Sequence, residues 1–246
     1  MRIDALTSYA AVLLAALSLT ACASRELAQE TGDPFEPTNR AIFAVNQTLD
    51  DAVIGPGARA YDAVTPDPVQ TGVRNFMTNL NQPVVFANAL LQGDVHAAGD
   101  TFGRFLMNTT IGVAGVFDVA THEGVPEHRR DFGQTLAHWG VGDGPYLVLP
   151  VIGPSNVRDA TGRFVDRYPH PLNWNEEESG EAWAWGVRGL NGVQTRADLD
   201  DAIGSLNRTA IDPYVQARSA WRQSRRAFIQ SQGETDEDYQ DLPEFE

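Results

Sequence analysis

The 246-residue sequence contains a single cysteine and no lysine, and its composition limits the possible covalent cross-links and partners of the protein. One thiol cannot form an intramolecular disulfide, and a body of roughly 200 residues needs none, because it can bury a sufficient core. All 18 basic residues are arginine, and 33 acidic residues give a net charge of −15. This balance argues against nucleic acid as a partner, since nucleic-acid affinity rests on a basic face that neutralises phosphates.

Long apolar runs are also missing. After Cys22 the longest candidate is PYLVLPVIGP at 145–154, which is interrupted by Pro150 and falls well short of the roughly 20 residues that a membrane-spanning helix needs. The earlier run from Tyr9 to Leu19 is too short to span a membrane but has the length of a signal-peptide core. Residues 1–21 are therefore predicted to be an export signal.

The only cysteine lies directly after this run, in the sequence LTAC at 19–22. This junction resembles the bacterial lipobox, in which small residues precede a cysteine that becomes the lipidated first residue. We predict that Cys22 carries the lipid, whose three acyl chains would hold the protein on a membrane at about 0.8 kcal/mol per buried methylene. The alternative is an ordinary buried cysteine. Because Ala23 rather than Asp follows, the predicted location is the periplasmic face of the outer membrane.

The mature chain divides into a body between two polar ends. Residues 22–33 are predicted to form a lipidated tether, and residues 34–232 a single domain. The tail at 233–246, GETDEDYQDLPEFE, contains seven acidic residues and no basic one, so it is predicted to be disordered.

Apolar residues within the body recur with helical spacing. Four of them between Val69 and Leu80 fall at i, i+4, i+7 and i+11, which predicts a helix with one buried face. Thr38 is predicted to cap an early helix, and Asp212 to cap a last helix that runs to Gln230. Strand signals are few, so the predicted fold class is all-α, with a small β-hairpin near 145–152.

Three short motifs resemble functional signatures without their full pattern. HEGVPEH at 122–128 has proline where a metalloprotease helix needs its second histidine. GPSNV at 153–157 lacks the final glycine of a nucleophile elbow, and GVGDG at 140–144 has no lysine for phosphate. The sequence therefore predicts no catalytic residue, no metal and no cofactor. A periplasmic hydrolase stays open as an alternative, with Ser155 and His170 as the most suitable pair of nucleophile and base.

Four longer segments resemble a known family. They are DPFEPTNRAIFAVNQTLD (33–50), NFMTNLNQPVVFANALLQGD (75–94), RFLMNTTIGVAGVFDVAT (104–121) and DFGQTLAHWGVGDGPYLVLPVIGPSNVRD (131–159). Together they resemble the MlaA (VacJ) outer-membrane lipoproteins, and the resemblance extends from about Asp33 to Phe228.

The resemblance implies a protein without catalysis. Its helices would form a ring in the inner leaflet of the outer membrane, around an amphipathic channel. Phospholipids misplaced in the outer leaflet would pass through this channel to a periplasmic phospholipid carrier, and the protein would associate with a trimeric porin. A lipoprotein that only tethers a porin or an envelope complex, without transporting lipid, is the alternative.

Two groups of residues are candidates for lipid contact. By resemblance the segment WGVGDGPYLVLP borders the channel, and its glycines permit positive φ, although ordinary turns would use them too. In the last helix, arginines beside Trp221 and Phe228 suit a phosphate-rich headgroup layer, the alternative being pairing with the acidic tail. The lipid-passage candidates are Gly140, Gly142, Gly144, Tyr146, Leu147 and Leu149, and the headgroup candidates are Arg222, Arg225 and Arg226.

Six aromatic residues are candidates for anchoring at the membrane interface, because such rings favour the headgroup level. A place in the protein core is the alternative for each of them. They are Trp139, Tyr146, Trp174, Trp183, Trp185 and Trp221.

Overall fold

The computed structural model describes residues 32–174 and 178–231, and for 178–180 it describes the backbone alone. The predicted signal peptide, Cys22 and the acidic tail lie outside these residues. The α-helices of the described part are α1 Glu36–Leu49, α2 Gly55–Val64, α3 Asp67–Leu91, α4 Val95–Thr110, α5 Val119–His122, α6 Phe132–His138, α7 Val157–Val165, α8 Glu178–Asp198, α9 Asp200–Thr209 and α10 Pro213–Gln230. A π-helical segment, Asp50–Ile54, joins α1 to α2, and a short 3₁₀-helix spans Pro171–Asn173.

These elements confirm the predicted all-α class and the small hairpin. Strand β1, Tyr146–Leu149, pairs in antiparallel register with β2, Gly153–Asn156, so that Tyr146 lies opposite Asn156. The turn between them places Val151 at a φ of 65°, which is unusual for a β-branched residue. Within the described residues, no helix combines the length and apolar character that crossing a membrane requires.

The two helix caps predicted from the sequence have different outcomes. The Asp212 carboxylate accepts hydrogen bonds from the backbone N–H groups of Tyr214 and Val215, at 3.0 and 3.2 Å, which confirms it as the cap of α10. The prediction for Thr38 is wrong, because α1 begins at Glu36. Pro37 fits the first helical turn, where its missing N–H costs nothing, so Thr38 lies inside the helix.

Helix α1 holds the hairpin through two asparagines that are seven residues apart and therefore lie on one helix face. Asn39 donates to the Tyr146 carbonyl at 3.0 Å and accepts from the Val148 N–H at 2.8 Å. Asn46 donates to the Leu149 carbonyl at 2.9 Å and accepts from the backbone N–H of the turn at 2.8 Å. The side-chain amides thus satisfy the backbone of β1 as a neighbouring strand would.

The distribution of polar and apolar side chains is unlike that of a typical globular domain. Among the described residues, more polar than apolar side chains are buried, and the apolar clusters are small. One cluster joins α3 to α4 through Ala89, Ala97 and Ala98. The other contains Tyr146, Val148 and Tyr214.

Large apolar side chains, in contrast, cover much of the outer surface. Extended exposed apolar surface marks contact with a membrane or another protein. Examples are Val95, Phe102 and Leu106 on one face of α4, Ile111, Val113 and Phe117 in the loop after it, Phe164 in α7, Trp174 between α7 and α8, and Trp183 and Trp185 in α8.

Candidate functional site

A cavity of about 490 Å³ lies between α3, the end of α7 and the middle of α8. Its apolar wall comprises Met77, Leu80 and Val84 from α3, with Leu172 and Val187 opposite. The volume is within the range of small-molecule sites, and the open shape leaves room for a longer ligand to extend outward.

The polar wall of the cavity is rich in arginine. It contains Arg130, Arg163, Arg167 and Arg188, together with Asp131, Asp166 and His170. Four guanidinium groups therefore face two carboxylates in a protein whose overall charge is strongly negative.

Both carboxylates of this wall have partners within the protein. Asp131 caps α6 by accepting from the Gln134 N–H at 2.7 Å, and it forms an ion pair of 2.6 Å with Arg225. Asp166 accepts from the Phe132 N–H at 3.0 Å and from the Asn88 amide at 2.8 Å. Burial raises the pKa of Asp166 to about 6, so its carboxyl group gains a proton under mildly acidic conditions.

The position of the cavity depends on a close approach of α6 and α7. Gly133 and Gly162 lie at this crossing, and a Cβ added at Gly162 would lie 2.4 Å from the Gly133 nitrogen. Only glycine permits this approach, which brings Asp131 on α6 beside Arg163 and Asp166 at the end of α7.

The predicted glycines of the lipid passage lie in the loop before the hairpin. Gly140 and Gly144 have φ values of 85° and 68°, so both positions use the positive φ that glycine permits. Gly142 does not have a positive φ, and a Cβ added there would meet no atom within 4 Å. None of the three glycines lines the cavity.

The hairpin candidates divide according to the two faces of β1. Tyr146 is only 1% exposed and packs against Tyr214 and Trp221, with ring centroids 6.3 and 5.7 Å away. The structure therefore corrects its assignment to the lipid passage, and also its assignment as an interfacial anchor. Leu147 and Leu149 lie on the opposite, half-buried face because side chains alternate along a strand, and their contact with lipid stays a prediction.

The three arginines of α10 have three different environments. Arg225 pairs with Asp131 and with Asp159, at 2.6 and 2.8 Å. Its donors are used within the protein, so the structure does not support headgroup contact by Arg225. Arg222 donates to the Gly32 carbonyl at 3.1 Å, and Arg226 is exposed. For these two, headgroup contact stays a prediction.

The other candidate anchors differ in their exposure. Trp139, Trp174, Trp183 and Trp185 are exposed, as an interfacial role requires, whereas Trp221 is half-buried.

The Ser155 hydroxyl is fully buried and donates to the Asn156 carbonyl, and His170 accepts from the Leu172 N–H. No hydrogen bond joins Ser155 to His170 in the described part of the chain. Nor does this part contain a group of three or more potential metal ligands.

Comparison with known proteins identifies the family. A family model described as MlaA lipoprotein matches residues 31–228. The chain belongs to the MlaA lipoprotein family. Among its members, the Escherichia coli (strain K12) protein named intermembrane phospholipid transport system lipoprotein MlaA is 37% identical, over 91% of this chain and 89% of its own length.

Two further matches extend the comparison. The Haemophilus influenzae protein of the same name is 34% identical, over 94% of both chains. A solved structure, reported as the structural basis for maintenance of bacterial outer membrane lipid asymmetry, has a TM-score of 0.68 and 38% identity. The match covers 80% of this chain and 98% of that one, so this MlaA lipoprotein shares the helical fold.

Sequence reasoning missed the arginines of the cavity. Arg163 lies in the last turn of α7, whereas Arg167 follows the end of that helix, so their spacing of four residues gave no helical signal. Arg188 lies on α8, and only the tertiary structure brings it to the same cavity.

Proposed function

We propose that this MlaA lipoprotein transports phospholipid at the outer membrane. In this proposal it withdraws phospholipids misplaced in the outer leaflet and passes them to a periplasmic carrier, which preserves lipid asymmetry. The observation that carries the proposal is the cavity, because its apolar wall suits an acyl chain and its arginine wall suits a phosphate group. Relatives named for phospholipid transport support the same substrate class.

The distribution of side chains supports a membrane setting. Apolar side chains on the outside favour contact with lipid, and the arginine-rich wall of the cavity suits a headgroup. Exposed tryptophans such as Trp174 and Trp185 suit the headgroup level. We propose that the protein lies at the periplasmic face of the outer membrane, beside a trimeric porin.

Obstruction of the cavity separates transport from a purely scaffolding role. Leu80→Trp adds bulk to the apolar wall, so a strain carrying only this variant should accumulate phospholipid at the cell surface and become sensitive to detergent with EDTA. Surface phospholipid is measured by an outer-leaflet labelling assay. The matched control is Leu90→Trp, at an exposed position of the same helix that does not line the cavity. Normal lipid asymmetry in the Leu80→Trp strain, at normal protein level, would favour the scaffold.

The anchor is tested separately. Because acylation requires the thiol at position 22, Cys22→Ser should abolish fatty-acid incorporation and leave the protein uncleaved or mislocalised. Metabolic labelling with radioactive palmitate and membrane fractionation measure both effects. Label entering the Cys22→Ser protein as it enters the native protein would contradict the lipobox assignment.

A further inference from the structure

We infer that the cavity binds the phosphate of a net anionic phospholipid and prefers such lipids to zwitterionic ones. The inference rests on the proposed function and adds to it the class of headgroup. It is carried by the juxtaposition of Arg163, Arg167 and Arg188 in one cavity whose carboxylates are already hydrogen-bonded within the protein.

The three arginines come to the cavity from two separate parts of the chain. In the described part of the chain, neither Arg163 nor Arg167 forms a hydrogen bond or ion pair through its side chain, although both line the cavity. Arg188 donates to the neutral Asn173 amide at 2.5 Å and has no carboxylate partner in the same residues. Among the described residues, three guanidinium groups that line one cavity without a carboxylate partner indicate a site for an anion from outside.

A fourth arginine of the cavity, Arg130, provides an independent observation. It is only 4% exposed, and its Nη2 pairs with Asp94 at 2.9 Å. Its Nε and Nη1 atoms are buried without a hydrogen-bond partner in the structure. Buried donors without a partner are costly. Among the described residues Arg130 has one carboxylate partner, Asp94, and it adds positive charge to the same wall.

The electrostatic surroundings of Arg163 support the same conclusion. Partial burial is the largest influence on this guanidinium, followed by repulsion from Arg225, and together they hold its pKa below the ordinary value although the charges of Asp159 and Asp131 act in the opposite direction. Both effects penalise the charged form, although Arg163 remains protonated at neutral pH. A bound phosphate would offset both effects, because it provides an opposite charge in a partly desolvated position.

The preference between headgroups follows from the two carboxylates. A zwitterionic lipid such as phosphatidylethanolamine brings an ammonium group, which needs an acceptor once it leaves water. Asp131 is already paired with Arg225, which leaves Asp166, whose partners Phe132 and Asn88 are neutral, as the one carboxylate of the wall that could meet that ammonium. Burial raises the pKa of Asp166 and so disfavours its charged form, whereas Arg163, Arg167 and Arg188 lack a carboxylate partner among the described residues. Phosphatidylglycerol brings hydroxyl groups instead, and its net charge matches the net positive charge of the wall.

The test uses the full-length lipidated protein in detergent, mixed with equal amounts of deuterated phosphatidylglycerol and phosphatidylethanolamine. Bound lipid is quantified by mass spectrometry after repurification. We expect the native protein to retain more phosphatidylglycerol. Because a hydrogen bond to a charged group is substantially stronger than a neutral one, Arg163→Gln with Arg167→Gln should lower the bound ratio about tenfold.

Two controls address charge and folding. Arg59→Gln with Arg208→Gln changes the net charge equally at two exposed positions outside the cavity, and should leave the ratio unchanged. Arg163→Lys with Arg167→Lys keeps the charge and should restore part of the preference, which a variant that fails for lack of folding would not do. Equal ratios in the native protein and the glutamine variant would overturn the inference.

A further arm separates a lipid headgroup from free phosphate, and the inference from the proposed function. Inorganic phosphate that displaces all phosphatidylglycerol at low concentration would identify a free-anion site and overturn the assignment to lipid. Retention of both lipids without preference, together with the expected defect of Leu80→Trp, would overturn the anionic preference while the transport function stands. Retention of neither lipid by the native protein would contradict the proposed function itself.

Discussion

Gly162→Ala should lower the free energy of unfolding by at least about 3 kcal/mol, at the upper end of the cost of overpacking. The added methyl carbon would lie 2.4 Å from the nitrogen and 2.8 Å from the Cα of Gly133. These are backbone atoms, so no rotation of a flexible side chain relieves the clash, and α6 and α7 must separate. In a free helix the same substitution stabilises by roughly 1 kcal/mol, so the sign of the effect reports the contact between the helices.

The matched control is Gly99→Ala in α4, where the added carbon meets no atom within 4 Å. There we expect no loss of stability, and a small gain from helix propensity. Thermal unfolding of the full-length protein in detergent, followed by circular dichroism, measures both variants. For a domain of this size, 3 kcal/mol corresponds to a decrease in Tm of roughly 6–12 °C. A Tm for Gly162→Ala equal to that of Gly99→Ala would show that α6 and α7 do not meet as described.

Arg225→Gln should be the second strongly destabilising change, at about 3 kcal/mol, since removing one partner of a buried ion pair leaves the other charges uncompensated. Arg225 bridges Asp131 on α6 and Asp159 on α7, and the Asp159 side chain is 4% exposed. Glutamine is too short to reach both carboxylates. Partial compensation comes from Arg158, which also pairs with Asp159 at 3.2 Å, so complete unfolding at room temperature is not expected.

Arg226→Gln is the control for this variant, because Arg226 is the next residue of α10 and is exposed. It should change the free energy of unfolding by less than about 0.5 kcal/mol, as surface substitutions usually do. The same thermal measurement therefore distinguishes a structural arginine from a surface one within a single helical turn. If the two variants unfolded at the same temperature, Arg225 would not hold α10 against α6 and α7.

Both variants concern the same structural unit. The glycine contact brings α6 and α7 together, and Arg225 attaches the last helix to their carboxylates. The two cavity residues Arg163 and Asp166 lie at the end of α7, so a shift of this helix would move them relative to α3. Gly162→Ala should therefore reduce both stability and lipid binding, whereas Arg163→Gln should reduce lipid binding without a comparable loss of stability.

The packed domain begins earlier in the chain than the composition predicts. Asp33, assigned from the sequence to the tether, is fully buried. It accepts hydrogen bonds from the Tyr214 hydroxyl and from Arg218, and it contacts Asn39 of α1. A polar residue in a polar segment resembles a linker in sequence. Only the partners from α10, about 180 positions away along the chain, place it in the core.

Local patterns in the sequence were sufficient for the all-α class, for helices α1, α3 and α10, for the Asp212 cap and for the hairpin, because each depends on residues within a few positions of one another. Longer segments were sufficient for the family. The cavity and its charges depend instead on residues distant in the chain. Arg225 meets Asp131 across 94 positions, while Arg163 and Arg188 share a cavity without a carboxylate partner for either among the described residues. Whether an arginine is structural or free for a ligand is decided by which carboxylates the fold brings within hydrogen-bonding distance, and that depends on the tertiary structure alone.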